Sequence, residues 1–185
     1  MFQSLIGGIE GHLIIRDKHS GISLVDKKNA IHFGNMSWAV SQALAGSDAG
    51  HIASMGFGSG GTALDTNGNI TYRAPNVSNI QDPNASMYNQ TFEKDVAIEV
   101  ISGTSNFSDL VVTTTLEFGE PTGQDTDNQA TSPNGDYIFD EIALFTEPTT
   151  SISPRLITHV IFHPTLKAEN VELEIEYTIR VQMGP

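Results

Sequence analysis

Cysteine is absent from the 185 residues, which excludes disulfide frameworks, thiolate zinc sites and thiol nucleophiles together. Positive charge is scarce. Nine Lys and Arg stand against 22 Asp and Glu, a formal net charge of -13. A surface of that sign repels phosphate backbones and anionic lipid, so neither nucleic acid nor a membrane is expected as a partner. Trp38 is the only tryptophan, whereas a carbohydrate-binding domain needs clustered aromatic rings. No apolar run approaches the roughly 18 residues of a membrane-spanning helix. The N-terminal MFQSLIGGIEG lacks the basic start and apolar centre of a secretory signal. The chain reads as soluble.

Hydrophobic residues make up 38% and charged residues 17%, and Gly, Ser, Thr and Asn fill much of the rest. That balance suits a turn-rich β domain better than a helical bundle, and the length suits one domain spanning 1–185. Two aliphatic runs flank Lys18-His19-Ser20-Gly21, a hairpin signature with Gly21 at a positive φ. One helix is predicted over about 36–45, with Met36, Val40, Ala43 and Leu44 on one face, Trp38 on the packing side and Gly46 as its stop. Strands are expected at His51–Phe57, Ile70–Arg73, Asp95–Ser102, Leu110–Phe118, Tyr137–Phe145 and Arg155–His163. Asn76–Asn89 reads as a long surface loop, and 119–136 as an acidic loop of little order. The last strand is the clearest. Val171, Leu173, Ile175, Tyr177, Ile179 and Val181 alternate with polar residues, so one face is core and the other meets water. The fold class is mainly β, an antiparallel sandwich-like domain with one short helix.

No cluster assembles into an active site, so no catalytic residue, cofactor or metal is expected. Gly56-Phe57-Gly58-Ser59-Gly60-Gly61 satisfies G-x-G-x-x-G, but the dinucleotide fingerprint needs a helix to start there, and turn residues Asp65-Thr66-Asn67-Gly68 follow instead. Ser59 lacks the flanking glycine of a nucleophile elbow. His159 and His163 fall in strand-like sequence, which separates them by roughly 13 Å, too far for one ion, and they read as partly buried or edge residues. Asp125-Thr126-Asp127-Asn128-Gln129 begins like a calcium loop, but Ala130 replaces the required glycine; a looser cation site among those acids stays open. Asp140 and Glu141 are adjacent in a strand, so alternation sends them to opposite faces.

Two stretches carry a resemblance by their order. The first is NMSWAVSQALAGSDAGHIASMGFGSGG, from Asn35 to Gly61: a short helix ending in Ala-Leu-Ala-Gly, then a strand running into a glycine loop. The second is FDEIALF from Phe139, then RLITHVIF from Arg155, then the long alternating strand. This order resembles the attachment domain that begins tail-collar fibre proteins of tailed bacteriophages. It is similar, too, to virion structural proteins of myoviruses, cyanobacterial phages in particular. The resemblance implies a non-enzymatic virion protein assembled in the host cytoplasm. Because the sequence ends at Pro185 with no shaft, it implies a neck, collar or tail-adaptor piece. A capsid decoration protein or a baseplate or fibre component is the alternative, and a carbohydrate-binding sandwich is the rival class. Implied partners are copies of itself and other phage tail, neck or capsid proteins.

A homo-oligomer is expected on that reading. Phe2, Leu5, Ile6 and Ile9 form an apolar N-terminal arm over residues 1–10, interrupted by Gly7 and Gly8. Laid across a neighbour, the arm would bury a few hundred Å² at about 25 cal/mol/Å². The other reading makes it a first strand in its own sheet.

Overall fold

The computed structural model describes residues 8–102, 106–122 and 137–182. Phe2, Leu5 and Ile6 of the arm, and the Asp125–Gln129 candidate for a cation, lie outside the described residues.

Strands β1 (Gly8–Asp17) and β2 (Ser23–Lys28) make the expected hairpin. Its turn is closed by the Asp17 carboxylate, which accepts the His19 and Ser20 amides at 3.0 and 2.7 Å, and by Gly21 at φ +70°. A two-residue β3 (Ala30–Ile31) leads into helix α1 (Phe33–Leu44). Then come β4 (Ile52–Gly58), the small hairpin β5 (Thr62–Leu64) and β6 (Ile70–Tyr72), β7 (Gln90–Asp95), β8 (Ala97–Ser102) and β9 (Phe107–Leu116). The last three strands are β10 (Tyr137–Thr146), β11 (Leu156–Lys167) and β12 (Leu173–Gln182).

Two five-stranded antiparallel sheets pack face to face, in the orders β2-β1-β12-β9-β8 and β3-β11-β10-β4-β7, with β5-β6 as a separate hairpin. The domain is a β-sandwich with one helix. Alternation drives it: Leu13 and Ile15 of β1, Val112 and Leu116 of β9, and Leu173, Ile175, Tyr177 and Ile179 of β12 turn inward. They meet Phe57, Phe139, Ile142, Leu144, Val160 and Phe162 from the other sheet. Phe139 packs edge-on against Phe57 and Phe162 at centroid distances of 5.8 and 5.5 Å, the favoured aromatic geometry.

Several local expectations change. The helix begins at Phe33, because the buried His32 caps it: the His32 Nδ1 accepts the Asn35 amide at 3.0 Å. Its covered face is Asn35, Met36 and Ala39, whereas Val40 and Leu44 are exposed. The Asn35 side chain decides that rotation by donating to the Leu156 carbonyl of β11 at 2.9 Å. Gly46 follows the helix at φ +69°, as its stop requires. Trp38 is half-buried against the core and lies under the Arg155 guanidinium. Strand β7 escapes a reading by pattern, since Glu93, Lys94 and Asp95 dilute its one core contact, Phe92. Phe118 lies past the end of β9, exposed, and stacks on His19 at 5.6 Å.

Candidate functional site

A group of buried polar residues, Asp140, Glu141 and His159, lies on the outer face of the second sheet, beneath the Asn76–Asn89 loop. Phe139 and Ile142 of β10 both lie in the inter-sheet core, because the β10–β11 register shifts between Phe139 and Glu141. The irregularity puts Asp140 and Glu141 side by side on the other face. This corrects the alternation argument, which sent them apart. The registers Phe139↔Thr165 and Glu141↔Ile161 set one residue of β10 against three of β11, and at such an irregularity regular alternation is lost and two successive side chains can share a face.

Both carboxylates are buried, and each is satisfied by backbone amides together with one side-chain donor. Asp140 accepts the Gly61 and Thr62 amides at 2.8 Å each, and the Thr62 hydroxyl. Glu141 accepts four donors: the Gly60 and Asn89 amides on Oε1, at 3.0 and 2.8 Å, and the Tyr88 amide and His159 Nε2 on Oε2, at 3.0 and 2.9 Å. His159 in turn accepts the Asn76 amide on Nδ1 at 2.9 Å, so its proton sits on Nε2. Burial pushes the Asp140 carboxyl above its ordinary value, against the hydrogen bonds from Thr62 and Gly61. Burial acts on Glu141 as well, but the His159, Asn89 and Tyr88 donors outweigh it and hold that carboxyl below the usual range.

The glycine run now has its physical reason. A Cβ on Gly58 would stand 2.4 Å from the Asn89 carbonyl and 2.6 Å from Glu141 Oε1. One on Gly60 would stand 2.6 Å from the Tyr88 Cβ. Gly58 and Gly60 permit the close crossing of two loops, and the loop amides of Gly60, Gly61 and Thr62 donate to the carboxylates of β10. His32 completes the clamp, donating Nε2–H to the Asn79 carbonyl at 3.0 Å. The loop expected to be purely superficial is therefore pinned at Asn76, Asn79, Tyr88 and Asn89, and it buries Ala85 and Met87. His159 is fully buried rather than partly so; His163 is exposed and bonds the Tyr72 hydroxyl at 3.0 Å. Among the described residues, no group of three or more His, Asp or Glu is arranged to hold a metal ion. Both oxygens of Asp140 and of Glu141 and both ring nitrogens of His159 are engaged in hydrogen bonds that hold the loops.

What faces outward is apolar sheet edge. All six residues of β8 are exposed, with Ile98, Val100 and Ile101 between 42% and 64%, and Glu99 is its single charge. Ile98 and Val100 pair with Val112 and Leu110, yet they stay 42% and 64% exposed. At the other edge of the same sheet, β2 covers β1 only from His12 to Arg16, while β12 pairs with it from Gly8 onward. Beside the uncovered start of β1 runs a groove of about 830 Å³ whose walls include Ile9, Ile31, Phe33 and Ile80, with Lys28 and Arg180 at its rim. Phe33 and Ile80 are each more than half exposed. Ile9, the member of the expected interface set inside the described residues, lies in β1 and packs partly on the core.

A second polar cluster lies at the turn of the first sheet, where Glu172 accepts Lys18 Nζ at 3.2 Å and bonds the His19 Nε2 at 2.7 Å. The clamp itself was missed because its donors are backbone amides, which carry no signature in the residue types. The chain was compared with protein-family models, curated proteins and solved structures, and nothing matches.

Proposed function

We propose that this chain is a non-enzymatic structural protein of a tailed-phage virion, a neck, collar or tail-adaptor piece that assembles with copies of itself and docks other tail components. The observation that carries this reading is the uncovered apolar edge at β8. Among the described residues no element covers this edge, and β8 holds neither lysine nor proline; such edges pair with other chains, and monomeric proteins guard against them. The motif order supports the same reading: helix α1, then β4 into its glycine loop, then β10, β11 and β12.

The rival carbohydrate-binding reading finds the tryptophan and two exposed tyrosines already covered by cations. The rings of Trp38, Tyr72 and Tyr88 already lie under Arg155, Lys27 and Arg73, at 3.9, 5.6 and 4.8 Å. Negative-stain images of phage particles labelled with an antibody to this chain test the proposal. Label at the neck, collar or tail is the expected result; particles without label would remove the virion role.

A further inference from the structure

We propose that the groove beside the start of β1 receives the N-terminal residues 1–7 of a second copy, added as a strand along Gly8–Gly11. The inference rests on the self-assembly reading above and names the segment and the surface that meet. Three features of the groove point to a strand as its occupant. On the β2 side, Gly8, Ile9 and Glu10 have no strand neighbour among the described residues, so their backbone is an open edge. The edge closes at Gly11, whose carbonyl takes the Asn29 amide at 3.0 Å as the chain turns from β2 to the other sheet. Opposite the edge stand Phe33 and Ile80, large apolar side chains exposed by 56% and 55%. Main-chain pairing with side-chain contacts on alternate residues is how extended segments join open sheets.

The sequence MFQSLIG matches that surface. In an extended chain Phe2 and Ile6 share one face and Leu5 takes the other. The segment holds no charged side chain, so it reaches the groove of a strongly anionic molecule without repulsion. The donor is a second copy because of Gly8. To fill its own groove, the chain would reverse in a two-residue turn ahead of β1, either through Gly7-Gly8, which takes Gly8 out of the strand, or through Ile6-Gly7, which needs the β-branched Ile6 at positive φ. Gly8 instead belongs to β1, pairs with Gln182 and is not among the glycines with positive φ. Gly8 is therefore already extended strand. Each arm covers a few hundred Å², and exchange in both directions moves the total toward the roughly 800 Å² per partner of a standard interface.

The absence of cysteine makes the test direct. Full chains carrying Leu5→Cys are mixed with size-tagged full chains carrying Ile80→Cys, incubated and mildly oxidised; Phe33→Cys serves as a second groove thiol. Circular dichroism checks that each variant keeps the parent spectrum. The expected result is a tagged–untagged disulfide dimer that neither variant forms alone, and a ladder of linked chains from the double variant Leu5→Cys/Ile80→Cys. A double variant that closes on itself and runs as a monomer, or mixed chains that stay unlinked with both groove thiols, would overturn the proposal. Linkage in a chain that antibody labelling never finds on particles would leave the arm exchange standing and remove only the virion role.

Discussion

Replacing Glu141 with alanine tests whether the buried carboxylate is what holds the two loops on the second sheet. The substitution strands four donors at once: the amides of Gly60, Tyr88 and Asn89, and His159 Nε2. An unsatisfied buried donor costs about 1–3 kcal/mol, and breaking a buried pair from one side costs about 3–5. Loop relaxation lets water reach some of the stranded groups, so a loss of about 4 kcal/mol is expected. At about 2–4 °C per kcal/mol for a chain of this size, the melting temperature should fall by roughly 10 °C. Urea unfolding at pH 7 reads the free energy. The pH dependence is a second reading, and its sign follows from the direction of the shift. Glu141 is held below the ordinary glutamate value of 4.5 by His159 and the loop amides, against the effect of burial. Its contribution is therefore complete above pH 4.5 and is lost as the pH falls through the lowered folded value. The gap between parent and variant should be widest near neutrality and narrow in acid. Asp140 shifts the opposite way, but it is present in both chains and largely cancels in the difference. A loss under 1 kcal/mol, or a gap that stays constant into acid, would refute the clamp.

Three further outcomes follow from the same geometry. Gly58→Ala should cost more than about 2 kcal/mol, since its Cβ would meet fixed backbone at Asn89. Gly68→Ala, at φ +83° in open space, should lose only the roughly 1–2 kcal/mol of left-handed strain; thermal melts that rank them the other way would contradict the loop crossing. Ile175→Asp should cost several kcal/mol by burying an unpaired carboxylate, while Glu174→Lys on the exposed face should change little, and equal small effects in urea would invert the β12 face assignment. Val100→Lys should leave stability within about 0.5 kcal/mol and reduce concentration-dependent light scattering, because the side chain is 64% exposed on an open edge; unchanged scattering would show that β8 is not a contact.

The strands and turns that local chemistry dictates were legible without coordinates. The period of two over Val171–Val181 specifies β12 and its buried face, and positive-φ demand places Gly21, Gly46 and Gly68 at turns and the helix stop. The existence of one helix follows from its spacing. Its rotation does not, since Val40 and Leu44 are as apolar as Met36. A single side-chain bond from Asn35 to a strand 121 residues away decides which face is covered. Strand β7 was hidden because an edge strand needs only one buried contact.

Composition and period by themselves determined the mainly β class, the inward faces of β9 and β12, and the exclusion of thiol chemistry. Each of those depends on residues near one another in sequence, or on totals. Tertiary structure alone decided the fates of Asp140, Glu141 and His159. One register shift between β10 and β11 accompanies the change from an alternating pair to neighbours, and loops about 50 and 80 residues distant in sequence supply the amides that satisfy them. Backbone donors are the same in every residue but proline, so no pattern of side chains announces where they will converge.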